Sequence, residues 1–188
     1  MRNVTYSMGI SLDGFIVGPD GNIITAPPPD EEVWGLVMGE IRGVGVHLMG
    51  RRLYETMLYW EMPDQAATFD EAERAWAAVW NPLPKVVFST TLSAVQGSAR
   101  LASGTLAEEI ARLRSEPGEG DIAIGGATLV AEAAALDLID EYRIRVYPIL
   151  VGGGTPYFAQ AGRGAELELV EHRLFGGGMV YLRYRVVR

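Results

Sequence analysis

The chain has 188 residues, 48% of them hydrophobic and 21% charged, which is typical of a globular protein that buries one substantial core. Its 24 acidic and 16 basic residues give a formal net charge of -8, which disfavours nucleic acid as a partner. The absence of cysteine excludes disulfides, thiolate metal sites and a cysteine nucleophile. We expect one domain over residues 1–188.

Signals for a metal site, a membrane span or export are missing from the sequence. The two histidines, His47 and His172, form neither an HxxxH nor an HExxH pattern, so no metal site is predicted. No stretch approaches the ~20 apolar residues of a membrane span. The N-terminus has no basic region followed by an apolar run, and a cytoplasmic protein without a membrane partner is therefore expected.

Strand-like and helical patterns alternate along the first half of the chain. Alternating residues predict a first strand over 3–10, and a loop rich in glycine and proline follows over 18–29. Asp30-Glu31-Glu32 opens a helix with periodic apolar residues through position 41, since acids complement a helix N-terminus. The patterns then predict a strand over 44–49, a short helix over 51–58 and a longer helix over 65–80.

The second half continues this alternation and then changes. Strands are predicted over 85–89, 121–124 and 142–150, and helices over 105–114 and 127–136, the first of them opened by a capping box at Thr105 and Glu108. Two strands, 167–174 and 180–187, flank Gly176-Gly177-Gly178 and predict an antiparallel hairpin. The expected fold class is therefore α/β, with a largely parallel sheet closed by a C-terminal hairpin.

Three predicted strands end in residues that suit a phosphate group. They are followed by Gly50-Arg51-Arg52, by Ser89-Thr90-Thr91, and by Gly125-Gly126 with a helix start. Ligands of open parallel sheets bind beyond the carboxyl ends of strands, where glycines, arginine forks and helix N-termini receive phosphates. Each signal has an alternative, because a glycine pair also makes a tight turn and two arginines also form a solvated face. The patterns GxxxxGK[ST] and GxGxxG are absent, which excludes a P-loop NTPase and a Rossmann dehydrogenase.

Six short motifs, in order along the chain, resemble the dihydrofolate-reductase-like superfamily. The closer resemblance is to the reductase domain of the bifunctional riboflavin-biosynthesis deaminase/reductase. The motifs are Ser11-Leu12-Asp13-Gly14, Met49-Gly50-Arg51-Arg52-Leu53-Tyr54-Glu55, residues 85–91, Gly125-Gly126-Ala127-Thr128-Leu129, residues 138–142 and residues 148–154. The resemblance implies a three-layer fold with a mixed, mostly parallel twisted sheet, helices on both faces and a C-terminal antiparallel hairpin. It also implies NADPH bound across the strand ends, and a homodimer.

The resemblance assigns phosphates to the strand ends. It implies that the adenosine 2′-phosphate is held by Gly50, Arg51, Arg52, Ser89 and Thr90. It further implies that the diphosphate is held by Gly125, Gly126, Ala127, Thr128 and Leu129.

Two acids are candidates for the catalytic, substrate side of the site. In the family that the chain resembles, the acid of the Ser-Leu-Asp-Gly element lies near substrate and nicotinamide, which points to Asp13. An Asx-type turn is the alternative for Asp13. Glu32 falls near the place of the substrate-binding acid of folate reductases, and its alternative is an ordinary acid in the first turn of a helix.

Two functions follow from these expectations. The first is an NADPH-dependent reductase that transfers hydride to a small heterocyclic substrate of pterin or pyrimidine type, similar to 5-amino-6-(5-phosphoribosylamino)uracil reductase. The alternative is a nucleotide-binding or sensing protein without turnover, with a flavin as a possible occupant. The zinc signature of the attached deaminase requires cysteines, which this chain lacks.

Overall fold

The computed structural model describes residues 1–24, 31–158 and 164–188. The strands of these residues are β1 (Val4–Ser11), β2 (Phe15–Val17), β3 (Val44–Gly50), β4 (Lys85–Phe88), β5 (Ala99–Leu101), β6 (Asp121–Gly125), β7 (Glu141–Tyr147), β8 (Thr155–Pro156), β9 (Leu167–Leu174) and β10 (Val180–Val186). The helices are α1 (Glu31–Arg42), α2 (Arg51–Met57), α3 (Pro63–Ala66), α4 (Glu71–Trp80), α5 (Leu106–Ser115) and α6 (Ala127–Ala135). Asp30 and residues 25–29 of the loop predicted over 18–29 lie outside the described residues. No helix within the described ranges is long and apolar enough to cross a bilayer.

Eight strands form one mixed sheet in the order β5-β4-β3-β6-β1-β7-β10-β9. The pairings from β5 through β7 are parallel, whereas β10 runs antiparallel to both β7 and β9. A separate antiparallel pair joins β2 and β8. The expected mostly parallel sheet with a C-terminal hairpin is thus confirmed.

Helices cover both faces of the sheet. Helices α5 and α6 pack Leu106, Ile110 and Val130 against one face, in a core that includes Val4 and Leu48. On the opposite face, α1, α2 and α4 contribute to a second core around Met49 and Val87. Successive residues of a strand point to opposite faces, and this alternation supplies both cores from the same strands.

The single helix predicted over 65–80 is wrong, since two helices occupy this stretch. Helix α4 begins after Asp70, whose carboxylate accepts the backbone N–H of Glu73 at 2.8 Å, while the Glu73 carboxylate accepts the N–H of Asp70 at 2.9 Å. This capping box gives the chain a new helix start inside an otherwise helical pattern. The preceding residue, Phe69, is buried and fixes the break in the core.

Strand β7 is shorter than predicted, because it ends before Pro148. Strand β7 lies between β1 and β10, and proline has no N–H for the ladder of a central strand. The short strands β2, β5 and β8 were not predicted, since each has only two or three residues.

Candidate functional site

A cleft opens in the sheet between β1 and β6. These strands pair only at Val4–Ile122 and Thr5–Ala123, whereas β1 continues to pair with β7 as far as Ser11. The next helix after β1 is α1, on one face, and β6 is followed by α6 on the other face. Adjacent strands whose connections leave toward opposite faces make the crevice in which open α/β sheets bind ligands.

A pocket of about 880 Å³ occupies this cleft and extends along the neighbouring strand ends. Its volume lies in the range of sites for small molecules and cofactors. Of the predicted cofactor residues, eight line this pocket: Gly50, Arg51, Arg52, Gly125, Gly126, Ala127, Thr128 and Leu129.

The two glycines where β6 ends, Gly125 and Gly126, serve different physical needs. A Cβ on Gly125 would lie 2.7 Å from Cδ2 of Leu53 and 2.8 Å from Cε1 of His47, so a side chain at this position would have to displace both neighbours. Gly126 has φ of +89°, a conformation in which any side chain is strained, and the nearest atoms to its ideal Cβ are 3.9 Å away or more. The tight turn expected as the alternative is present, and it also leaves the start of α6 open on the pocket side.

Positively charged groups and free N–H donors lie together at this end of the pocket, which is formed by Arg51, Arg52, Gly126 and the start of α6 and is called the phosphate ledge below. Helix α6 begins after Gly126 with no side-chain cap, so its first N–H groups and its dipole remain available to an anion. Arg51 and Arg52 are exposed at the start of α2. The pair of Arg51 with Glu55, at 3.9 Å and about half exposed, is a weak surface interaction that leaves the guanidinium free for a ligand.

Ser89 and Thr90 follow the end of β4, at the same edge of the sheet. Phe88 pairs with Gly50 in register, and both residues line the pocket, but Ser89 and Thr90 are outside its lining. The Ser89 hydroxyl accepts the backbone N–H groups of residues 91 and 92 at 3.1 and 3.0 Å, which stabilises the turn after β4. Their predicted contact with the 2′-phosphate stays a prediction.

Asp13 lies at the end of β1 but outside the pocket lining. Its exposed carboxylate accepts the backbone N–H of Gly152 at 2.7 Å and that of Val151 at 3.2 Å. The Ser11 hydroxyl, followed by these two amides, lowers the pKa of Asp13. Asp13 therefore tethers the loop after β7 to the turn after β1, and its role as a substrate contact stays a prediction.

A different acid of α1 reaches the pocket. Glu32 is exposed on the first turn of the helix, about 12 Å along its axis from Glu40 at 1.5 Å per residue. The Glu40 carboxylate accepts the hydroxyl of Ser7 at 2.8 Å, Nη1 of Arg145 at 2.7 Å and the hydroxyl of Tyr181 at 2.9 Å. Glu40, Ser7 and Arg145 line the pocket, whereas Glu32 does not. The substrate role of Glu32 stays a prediction.

Aromatic side chains line the pocket between the phosphate ledge and the polar residues Glu40, Ser7 and Arg145. His47 lies beneath Gly125 with its ring 5.3 Å from Trp80, which stacks in turn on Trp76 at 6.0 Å. Burial lowers the pKa of His47 to about 4, so the imidazole is neutral near pH 7. His47, Trp76 and Trp80 all line the pocket.

Sequence reasoning missed Glu40 and Arg145, although each leaves a trace in its pattern. Glu40 lies seven residues after Val33 and three after Val37, on the apolar stripe of α1. Arg145 and Arg143 alternate within a strand whose other residues are largely buried. A charge at a core-facing position needs a partner, and this was the available signal.

Comparisons with known proteins agree with this architecture. A family model described as the RibD C-terminal domain matches residues 2–181. The uncharacterized protein YyaP of Bacillus subtilis (strain 168) is 26% identical over 183 residues, which cover 97% of this chain and 94% of YyaP.

Solved structures share the fold. A protein from Shewanella sp. PV-4, whose given name refers to riboflavin biosynthesis, superposes with a TM-score of 0.78 at 25% identity over the full length of both chains. Dihydrofolate reductase from Enterococcus faecalis, solved with NADP(H), is similar with a TM-score of 0.63 at 15% identity, covering 99% of this chain and 97% of the enzyme. The dihydrofolate-reductase-like fold expected from the motifs is thereby confirmed.

Proposed function

Because the chain belongs to the RibD C-terminal domain family, we propose that it is an NADPH-dependent reductase of a small heterocyclic substrate of pterin or pyrimidine type. One observation carries the proposal. The paired arginines, Arg51 and Arg52, and the open start of α6 line the same pocket, which continues into the gap between β1 and β6. One end of this pocket suits the phosphates of a dinucleotide, and the volume of about 880 Å³ is in the range of cofactor sites.

The residues present fit the cofactor at its charged end. Arg51 and Arg52 would hold the adenosine 2′-phosphate, because a guanidinium pairs its N–H groups with phosphate oxygens. Gly126 and the first N–H groups of α6 would hold the diphosphate, where no side chain stands in the way. NADPH would supply the hydride, and the protein needs only to bind and orient the reacting rings.

The chain's own residues shield the cleft from water. Ile16 and Leu129 are buried, and together with Met8 and Ile124 they make apolar walls where β1 and β6 separate. Low-dielectric walls strengthen every electrostatic contact inside the site. The substrate would therefore meet its polar partners at the inner end of the pocket, away from the phosphate ledge.

The cofactor assignment is tested by comparing NADPH with NADH in thermal-shift measurements. A ligand at a hundred times its Kd adds about 2.7 kcal/mol of stability. We expect NADPH to stabilise the wild-type protein more than NADH does. Arg51→Ala should abolish most of that preference, and the control Arg42→Ala, at an exposed arginine outside the pocket lining, should keep it. Equal losses for both cofactors in Arg51→Ala would contradict the assignment of the 2′-phosphate.

Turnover is tested separately. Steady oxidation of NADPH, followed at its absorbance maximum with pterin, pyrimidine and quinone acceptors, should reveal at least one substrate. Loss of that activity in Asp13→Asn, with cofactor binding retained, would support Asp13 as a substrate contact. An unchanged rate would leave Asp13 with the loop tether alone.

A nucleotide-binding or sensing protein without turnover is the second candidate. The observation that favours it is that neither Asp13 nor Glu32 lines the pocket. This candidate predicts a large NADPH-induced shift with no oxidation by any acceptor. A flavin occupant would instead give the purified protein visible absorbance.

A further inference from the structure

A polar group lies on the floor of the pocket, on the α1 side of the sheet. Ser7 of β1 pairs in register with Arg143 of β7, and Gly9 pairs with Arg145. Residues that pair in register point to the same face of a sheet, so Ser7 and both arginines share the face that α1 covers. Glu40 reaches down from α1 to the same place.

Glu40 has its acceptor positions occupied by this floor. Oε2 accepts Ser7 and Arg145, and Oε1 accepts Tyr181. Tyr181 is 2% exposed, and burial raises the pKa of its hydroxyl, which therefore stays protonated and keeps donating to Glu40. A carboxylate fixed by three donors from β1, β7 and β10 holds the Arg145 side chain in one position.

Arg145 has donors to spare. Its Nη1 donates to Glu40 at 2.7 Å and to Ser7 at 2.8 Å, while Nε and Nη2 donate to no atom of the residues that the structure covers. The side chain is 13% exposed and lines the pocket. A guanidinium carries five N–H donors in a rigid fork, so the unused ones are available to a ligand there.

The charges on this floor carry no positive excess. Arg143 pairs with Asp121 and Glu141, Arg183 pairs with Glu141 and, at 3.9 Å, with Glu171, and Arg145 pairs with Glu40, so three arginines face four acids. Such a group offers hydrogen-bond donors without a net positive charge. It therefore suits a neutral oxygen acceptor better than a carboxylate or a phosphate.

A second observation points to a ligand rich in acceptors. Trp80 is 2% exposed, and its indole N–H has no hydrogen-bond partner among the described residues; the same holds for the indole N–H of Trp76. Both side chains line the pocket together with Arg145. Buried donors without partners are costly, and a bound acceptor removes that cost.

We propose that Arg145, positioned by Glu40, is the residue that recognises the substrate, by donating to a carbonyl oxygen of a planar, neutral ring. A ring that carries an amino group in place of that carbonyl is then rejected. The proposal rests on the proposed function only in taking this ligand as the group that is reduced. Glu40 acts as a positioning residue.

Two matched probes test the recognition by thermal shift in the absence of cofactor. 5,6-Diaminouracil, a dione, has ring carbonyls at positions 2 and 4, where 2,4,5,6-tetraaminopyrimidine has amino groups, and the two compounds share the amino groups at positions 5 and 6. We expect the wild-type protein to bind the dione at least about tenfold more tightly, since an unmade hydrogen bond to a charged donor costs this much or more. Glu40→Gln should reduce this preference, because it removes the charge that holds Arg145 and leaves one acceptor oxygen where the carboxylate has two.

Arg145→Lys is the main variant, because it retains the charge beside Glu40 while removing the spare donors of the fork. It should lose at least about tenfold in affinity for the dione and should keep the shift induced by NADPH. The matched control is Arg183→Lys, on the same face of the next strand but outside the pocket lining, and it should bind both ligands as the wild type does.

The outcomes separate this proposal from the proposed function. Equal binding of the dione by Arg145→Lys and the wild type, or no dione binding by the wild type, would overturn the recognition by Arg145 while NADPH binding stands. Dione selectivity that depends on Arg145, without any NADPH binding or oxidation, would support the recognition and contradict the reductase.

Discussion

His47 makes stability depend on pH in a defined window. Its imidazole lies under Gly125 and against Trp80, and burial lowers its pKa to about 4 in the folded protein. In the unfolded chain the pKa returns to about 6.5. Between these values the unfolded state binds a proton that the native state does not. The contribution of His47 is therefore fully present above pH 6.5 and is lost as the pH falls toward 4.

The magnitude follows from the size of the shift. One pKa unit corresponds to 1.36 kcal/mol, so His47 contributes about 3 kcal/mol over the whole window. This is a large share of the ~5–15 kcal/mol that stabilises a typical domain. Urea unfolding at a series of pH values from about 8 down to 4.5 measures it, as the decrease in free energy of unfolding.

Matched variants isolate the histidine from the carboxylates. Glutamine does not titrate, so His47→Gln should flatten the pH profile by about 2–3 kcal/mol between pH 7.5 and 4.5, whatever its stability at neutral pH. His172→Gln, at an exposed position on β9, should leave the slope unchanged. Equal slopes for the wild type and His47→Gln would refute the buried, neutral imidazole.

Four further predictions concern the scaffold and the assembly. Lys85 is the only lysine of the chain and is 2% exposed. An amine-reactive label should therefore modify the folded protein only at its N-terminal amine. Labelling of Lys85 before unfolding would contradict this burial. Asp70→Ala should lower the free energy of unfolding by about 1 kcal/mol, measured in urea, and Asp70→Asn should cost less because it keeps an acceptor for the cap. Asp13→Ala should speed amide hydrogen exchange at positions 151 and 152, and unchanged protection there would exclude the tether. We expect a homodimer through the edge strand β9, because Leu169 on this strand is 48% exposed. Light scattering should give twice the chain mass for the wild type and a monomer for Leu169→Glu. A wild-type monomer would contradict the dimer.

The elements that sequence reasoning located correctly are those whose signals are local. Helix α5 begins where the capping box of Thr105 and Glu108 places it, with the Thr105 N–H 2.8 Å from the Glu108 carboxylate. The glycine pair after β6 also lies within a few residues of the helix that it starts. Such signals depend on neighbours in the chain, and the fold does not alter them.

The break between α3 and α4 shows how a local signal was hidden. The stretch 65–80 has a helical apolar pattern, and that pattern alone extends through Asp70. The same stretch contains Asp70 followed three residues later by Glu73, the signature of a helix start. The periodic pattern predicts one continuous helix and the capping box predicts a new helix start at Asp70. The helix begins after Asp70, because Phe69 just before it is buried in the core.

The polar floor of the site could not be read in the same way. Ser7, Glu40, Arg145 and Tyr181 belong to three strands and a helix, and the largest separation among the contacts that Glu40 makes is 141 residues. A sequence shows that a charged residue interrupts an apolar stripe, but the partner depends on strand order and register. Strand β7 lies beside β1 only because the chain returns across the sheet after α6.

The two ends of the pocket differ in which groups form them: short runs of neighbouring residues in the sequence form one end, and side chains distant in the sequence form the other. The end of the pocket at Arg51, Arg52 and Gly126 is built from backbone amides, a positive φ at Gly126 and two arginines next to a strand end. The floor depends on one carboxylate, Glu40, that fixes one arginine, Arg145. We therefore expect substitutions at positions 40 and 145 to change the substrate preference proposed above without changing the binding of NADPH. The motif residues at the ends of β3 and β6 line the pocket, whereas Asp13, the motif acid predicted for the substrate side, does not.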